Sequence, residues 1–524
     1  MKKIVLLTLF LIMLPGFVYA AIINVPGSQA PLKTIQDGID AAANGDTVLL
    51  ADGIYTGVGN YDVEFKGRSV TVKSSGGRDV CIIDCQSNGR GFIIKSGETV
   101  TFEGITIKNG KAISLGSYYS AGVHVENGAK IVFKDCNFDH NSSDNSNGGA
   151  AVYFETVSSS PSFTNCKFTN NSSTAGPGGA VNFEYNENKV VSFTGCTFTD
   201  NSAASHGGAV FTGSQSLVFK GCTFTRNKIT LGNGGAVNTF LAQFEDCVFT
   251  DNEAPDGGAI SDSSCSLMCC KFTGNQALDS RGGAVYSSFY SAGGPDATNC
   301  TFKGNSGKKG GACCLDGDGS FVNCSFTRNS ATEEGGAIRH DSGSGYNITL
   351  KNCLLWDNAA PAGSEIYGSQ TAVGVSYSDV KGGWSGTGNL NVDPKFVDAA
   401  NDDLHLQCSS PCIDVGTGDG APGDDLDGIL RPVGPADDMG AYEYHYETFL
   451  WEGLASSEWD NSSNWNSLGT PRQYNIVYIS PAAGVPHNPV VQIDNAEAGK
   501  LFIESGQLVI DQGKLTIGGA DCHL

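Results

Sequence analysis

The sequence predicts an all-β chain wound as a right-handed parallel β-helix, a solenoid with a short N-terminal capping helix and a small C-terminal β domain. Three observations predict it. One phrase recurs at a spacing of 23 to 30 residues. Gly is abundant (70 residues) and Pro scarce (17), with no collagen period. Helical periodicity is confined to one segment. Gly this dense, outside collagen, marks a chain that turns a corner every few residues. A repeat of this size cannot bury its own apolar face, so the copies must stack.

Residues 1–20 read as a secretory signal peptide: Lys2 and Lys3, an apolar run from Ile4 to Leu14, and a small residue, Ala20, at the cut. That run is too short to span a membrane comfortably, and nothing later approaches one. No Cys follows the cut, so a lipoprotein anchor is not expected. Residues 21–110 form an N-terminal cap and the first coils. Thr34 to Ala43 is the helical segment, with Ile35 and Ile39 on one face, and Asn44-Gly45-Asp46 leads into a strand at Thr47–Leu50. A helix over the first open coil protects an exposed sheet edge. Phe102, Ile105 and Ile107 already keep the repeat's spacing.

Residues 111–390 are the repeat array. The Cys of each copy is Cys136, Cys166, Cys196, Cys222, Cys247, Cys270, Cys300, Cys324 and Cys353. Two residues later comes Phe138, Phe168, Phe198, Phe224, Phe249, Phe272, Phe302, Phe326 or, in the last copy, Leu355. Three further on comes Asn141, Asn171, Asn201, Asn227, Asn252, Asn275, Asn305, Asn329 and Asn358. Gly-Gly-Ala and an apolar β-branched residue follow. Residues two apart share a strand face, so stacking coils about 4.8 Å apart sets Phe on Phe and Cys on Cys. Each buried Phe contributes roughly 1.5–3 kcal/mol. The constant offset to Asn predicts a left-handed turn residue whose amide bonds from coil to coil. Lengths vary only between these points, so insertions belong to outer loops. The rod is expected to hold about ten or eleven coils, roughly 50 Å in length.

Exported proteins usually pair their thiols, but stacked cysteines have parallel Cβ vectors about 4.8 Å apart, wider than a disulfide's Cβ separation of about 3.8 Å. The ladder cysteines are therefore read as free, buried fillers. Cys408 and Cys412 lie in a loop, where a disulfide and two free thiols both remain open; the same holds for Cys81 and Cys85.

The paired motifs Gly-Gly-Ala-Val/Ile and Phe-x-x-Asn, over roughly residues 130–360, resemble the polymorphic outer-membrane proteins of chlamydiae. The resemblance implies a surface adhesin on a β-helix, though the chain lacks the amphipathic strands of a C-terminal barrel. The N-terminal stretch looks like the entry cap of pectin-esterase and pectate-lyase type β-helices. Residues 391–447 resemble the choice-of-anchor Q module, through Asp393-Pro394-x-Phe396, Ser410-Pro411-Cys412-Ile413-Asp414, Asp427-Gly428-x-x-Arg431 and Asp438-x-Gly440-Ala441-Tyr442-Glu443. This implies a bacterial surface protein. In residues 448–524 the short strands Leu501–Ile503, Leu508–Ile510 and Leu515–Ile517 suggest a small β domain or the start of a second solenoid.

The formal charge of −23 disfavours nucleic acid and anionic membranes, and repels acidic polysaccharides unless cations bridge them. A polysaccharide lyase or hydrolase needs outward carboxylates on adjacent coils. Four residues past the first Gly, the coils instead offer Asn182, Phe211, Asn238, Ser261, Tyr286, Cys314 and Arg339; one position on, Asp262 and His340 appear. Arg339, His340 and Asp341 are the catalytic candidates, against ordinary solvated residues. Asp414, Asp419, Asp424, Asp425 and Asp427 suit Ca2+ through oxygen ligands on a Gly-rich backbone; the alternative is a hydrated loop whose Asp residues close turns. No other cofactor is expected. Trp459 and Trp465 offer a sugar-stacking face or a small core, and the isolated His124 and His206 receive no role. The expectation is an adhesin-like or structural surface protein that binds an extracellular glycan or cell-surface protein and relies on export and anchoring machinery. The alternative is an enzyme acting on acidic polysaccharide.

Overall fold

The structure, a computed structural model, describes residues 20–444 apart from 26–31, 113–119, 158, 187–188, 214–215, 263, 289–293 and 341–344; beyond 444 it describes Trp465 and short strands. The expected signal peptide lies outside the described residues except for Ala20. From Ile22 to Val380 the chain winds into four parallel sheets, the first of 14, the second of 13, the third of 12 and the fourth of 9 strands. Each full coil visits them in a fixed order. The first sheet holds strands such as Ser216–Lys220, the second Thr223–Thr225, the fourth Lys228–Ile229 and the third Val237–Asn238. The longest sheet has more strands than the coils expected from the motif. The difference comes from the entry coils, which stack Val48 on Val72 without any Cys-Phe phrase.

Two aromatic ladders fill the tube. Phe138 to Phe326 stack at 4.6 to 4.8 Å with ring planes within 5° of parallel. Facing them from the first sheet, Phe133, Phe163, Phe193, Phe219 and Phe244 meet the second-sheet rings edge to face, as at Phe219–Phe224 (5.4 Å, 76°). Stacking along the axis and T-contacts across it are the two arrangements that the ring quadrupole favours.

The nine ladder cysteines are free and fully buried. Each thiol points at the carbonyl two residues before it, as Cys300 Sγ does at Thr298 O (3.2 Å). Burial pushes the thiols of Cys166, Cys270 and Cys324 well above their ordinary range, which keeps them protonated and unreactive. Cys81, Cys85 and Cys412 are also free, so neither a Cys81–Cys85 nor a Cys408–Cys412 bridge forms. Cys81 and Cys85 sit in buried strand and turn positions filled by packing.

The asparagine ladder corrects one expectation. The left-handed residue is the one before each Asn: His140, Asn170, Asp200, Arg226, Asp251, Arg328 and Asp357 all have φ between 51° and 61°. The Asn side chain turns inward instead. Its Nδ2 donates to the next Asn Oδ1 and back to a carbonyl of the preceding coil, as Asn227 does to Asn252 (3.0 Å) and Phe198 O (2.9 Å). Its backbone N–H also donates to that next Oδ1 (2.9 Å). The turn needs a bend and a buried amide, and two adjacent residues divide those tasks.

Both tube ends are closed. The helix Ile35–Ala41, capped by Thr34 with a reciprocal Asp37 bond, lays Ile35 and Ile39 over the first coil. At the other end Trp384 packs on the core, its Nε1 donating to Val373 O (3.3 Å). Residues 391–444 then run back along the second sheet. Asn299, Asn323 and Asn352, all left-handed, donate to the carbonyls of Asp424, Asp438 and Thr417 (2.7 to 3.2 Å). Leu354 joins Leu406, Cys412 and Met439 in a small shared core. Beyond 444, strands Thr448–Leu450, Ile476–Ile479 and Lys500–Ile503 pair in parallel.

Candidate functional site

The second sheet is bounded by tight turns, whereas the third sheet is followed by loops of variable length. Side chains of varied chemistry therefore collect on the outer face of the third sheet, where the repeat tolerates change. Strand register places His124, Tyr153, Asn182, Phe211, Asn238, Ser261, Tyr286, Cys314, Arg339 and Tyr367 side by side on successive coils.

Two depressions lie along this row. One, of about 390 Å³, is lined by Phe211, Asn238, Phe240, Arg281 and Tyr286, with His206 at its edge. Phe240 is half exposed at its rim. The second, of about 540 Å³, is lined by Lys309, Glu334, Arg339, His340 and Tyr367. Asp316 is the partition between them. It is fully buried, and both of its oxygens accept: Arg339 Nη1 lies 3.0 Å from Oδ1, and Arg281 Nη1 3.0 Å and Tyr286 Oη 3.2 Å from Oδ2. The Arg281 guanidinium lies 4.3 Å over the Tyr286 ring, a cation–π contact. Arg281 also pairs with Asp256 (3.6 Å) and Arg339 with Glu334 (3.6 Å). Burial raises the Tyr286 phenol and holds the Cys314 thiol up at about 12, so both stay protonated near neutrality.

The catalytic candidates do not form a unit as adjacent residues. Arg339 faces outward in the ion network. His340 faces inward, 1% exposed, with its ring nitrogens 3.3 and 3.1 Å from the carbonyl oxygens of Leu315 and Tyr346. Neighbours on a strand alternate faces, so Arg339 and His340 are separated by the pleat. Asp341 lies outside the described residues. Asp262 is likewise buried, its Oδ1 accepting from Ser264 N (2.8 Å).

A carboxylate stack lies one position beyond the strand offsets that Arg339 and His340 occupy. Glu126, Glu155 and Glu184 stand two residues beyond His124, Tyr153 and Asn182 on three successive coils, on the outward face. Reading the sequence at six residues past Gly178 and Gly310 finds Glu184 and Asp316 directly. Burial and the neighbouring Glu126 raise the Glu155 carboxyl, and burial raises Glu184. His124, fully buried and 3.2 Å from Glu155, is held down at about 3 by burial and by Arg90, so it is neutral.

The five aspartates proposed for Ca2+ are spread over separate duties. Asp425 Oδ1 accepts from the N–H groups of Asp427 and Ile429 (2.8 Å each), and its Oδ2 accepts from Glu443 N (2.7 Å). Asp419 pairs with Lys351 (2.9 Å), and Asp427 meets His405 (2.8 Å). Asp414 receives its bond at the backbone, its N–H donating to Asp438 Oδ1 (2.7 Å), and the Asp424 carbonyl accepts from Asn299. Among the described residues no group of three or more His, Cys, Asp or Glu side chains is placed to hold a metal ion. Trp465 is buried, and Trp459 lies outside the described residues.

The family model described as a right-handed beta helix region matches residues 49–240, and that of the Chlamydia polymorphic membrane protein repeat matches residues 323–340. No curated protein matches the chain. Among solved structures, pectate lyase Pel9A is similar at 16% identity over 81% of this chain and 96% of its own (TM-score 0.36). Tailspike protein 3 of bacteriophage CBA120 is similar at 11% identity over 67% and 61% (TM-score 0.40). The catalytic domain of a GH87 α-1,3-glucanase, in complex with nigerose, is similar at 12% identity over 68% of each chain (TM-score 0.41).

Proposed function

We propose that this β-helix is a surface-displayed protein that binds glycans along the outer face of its third sheet. The observation that carries the reading is the pair of depressions there, with Phe211, Phe240 and Tyr367 beside buried, pre-oriented hydrogen-bonding groups. Apolar ring faces with a few fixed polar partners suit the two faces of a sugar ring. The match to the Chlamydia polymorphic membrane protein repeat supports a surface or outer-membrane location, and residues 391–444 are proposed as the segment that couples the rod to its anchor. No helix among the described residues is long and apolar enough to cross a membrane.

The test is retention of the full chain on immobilised polysaccharides, with Phe240→Ala and Tyr367→Ala as variants. Binding that both substitutions weaken about tenfold, near 1.4 kcal/mol each, supports the reading. Binding that neither changes moves the ligand to another face, and no retention on any polymer refutes glycan recognition. A second reading, polysaccharide cleavage, is favoured by the stacked Glu126, Glu155 and Glu184 beside His124. Chromatography of the same incubations, with and without Ca2+, tests it: released oligosaccharides that vanish in Glu155→Gln would make the protein an enzyme.

A further inference from the structure

We infer that the third-sheet groove takes an uncharged glycan, and that Asp316 sets this specificity by occupying the position a ligand carboxylate would take. This rests on the glycan reading and names its substrate class.

Two guanidiniums and a phenol converging on one carboxylate is an arrangement that recognises an acid sugar or an acidic peptide. Here the carboxylate belongs to the chain. Asp316 is 1% exposed at its side chain, and Arg339, Arg281 and Tyr286 reach it at 3.0, 3.0 and 3.2 Å. The outer sides of the two arginines are also taken, by Asp256 and Glu334. Lys309 is shared with Glu334 at 3.6 Å. A uronate entering the groove therefore meets cations that are already neutralised. It would also bring its charge to a chain of net charge −23. Displacing Asp316 would strand a buried carboxylate, which is costly.

The remaining features suit neutral sugars. Phe240, two residues past Asn238, and Tyr367, the last residue of the row, are both exposed. Asn238 and Tyr367 lie five coils apart in register, roughly 24 Å at about 4.8 Å per coil. That length holds a run of sugar units, with ring stacking at both ends and the pre-paired polar groups between.

The test measures binding of the full chain to two probe sets by calorimetry: the neutral hexasaccharides of β-1,4-glucose, β-1,4-mannose, β-1,4-xylose and β-1,4-N-acetylglucosamine, and the hexamers of galacturonate and guluronate. The wild type is expected to bind at least one neutral probe and no uronate. Asp316→Asn keeps the shape but removes the buried charge that both guanidiniums share, leaving each with one carboxylate partner. It is expected to gain uronate binding by about tenfold or more. That gain falls as salt is raised, because it is Coulombic. Glu334→Gln, at the exposed side of Arg339, gives the same change more weakly and serves if Asp316→Asn does not fold. Wild-type binding of uronates as tight as that of neutral probes overturns the inference and leaves glycan recognition standing. Neutral binding with no gain of uronate in either variant removes Asp316 as the determinant. No binding of any probe by any form defeats the glycan reading itself.

Discussion

The second sheet and the third sheet are built from the same coils and both repeat on their inward faces, yet outward the second repeats and the third varies. On the second sheet, successive coils place Phe on Phe within 5° of parallel, bounded by a left-handed residue on each side. The third sheet's inward row repeats too, as Val152, Val181, Val210, Val237 and Ile260. Its outward row runs His124, Tyr153, Asn182, Phe211, Asn238 and on to Arg339 with no residue type kept, whereas the outward row of the second sheet keeps Thr169, Thr199, Thr225, Thr250 and Thr273. The turns explain the difference. Around the second sheet they bury an Asn that must bond to its neighbours above and below, so a change in one coil costs two. Past the third sheet the chain leaves the lattice in loops, and each coil is free to change alone. Stability resides where the coils agree, and the proposed recognition where they differ.

The largest test of that contrast puts a charge on each side of one strand. Phe224→Asp buries a carboxylate among stacked rings and is expected to abolish cooperative folding, read as loss of the β signal in circular dichroism. Thr225→Asp, its outward neighbour, should shift stability by no more than about 0.5 kcal/mol. If Thr225→Asp proves as damaging, the face is packed against something and the contrast fails.

Next come the two asparagine classes. Asn252→Ala removes the acceptor of the Asn227 N–H and Nδ2 groups and should cost about 2–4 kcal/mol in chemical denaturation, including the cavity left. Asn238→Ala, in the variable row, should cost less than about 0.5 kcal/mol. Equal costs would mean that the third sheet is as tightly specified as the second.

A third comparison sets the two ends of the rod against each other by pH. Burial raises Asp379 to about 6, Glu365 to about 7 and Asp438 to about 8 in the C-terminal part. Their folded-state pKa values exceed the unfolded ones. As pH rises from about 4 towards 8 the unfolded chain releases these protons first, and stability falls. At the N-terminal helix, Asp37 is held low by its bonds to Thr34, so its contribution is present at neutral pH and lost as pH falls below about 4. Melting followed at Trp384 should therefore be several degrees higher at pH 5 than at pH 8. A flat profile would mean these carboxyls find water on relaxation.

The smallest effect is chemical. The nine ladder thiols should resist a thiol reagent in the native state and react in denaturant. Fast labelling of any of them would show that the coils open locally.

The interior was legible because it is periodic: the Cys, Phe and Asn offsets each define one inward or turn position, and strand alternation assigns the face. The helix at Thr34 was legible from a cap and two isoleucines. The site was less so. Arg339 stood in the row read from the sequence, but its partners did not. Arg281 comes from the loop before a strand, Asp316 from the end of the next, and Tyr286 from the strand between. Glu155 and Glu184 stand one alternation beyond Tyr153 and Asn182, on the same outward face, so the strand period of two makes them legible in the sequence. The five loop aspartates matched a cation's chemistry by composition, but backbone amides, Lys351 and His405 claimed the carboxylates of Asp425, Asp419 and Asp427.

By itself the sequence determined the winding, the stacking partners and which face of each strand is buried, because those follow from a period of two along the strand and a fixed motif around the coil. Only the tertiary structure decided that Asp316 is enclosed by two arginines, and that residues 391–444 fold back onto Asn299, Asn323 and Asn352. These contacts join residues from separate coils, and loop paths, which no local period encodes, bring them together.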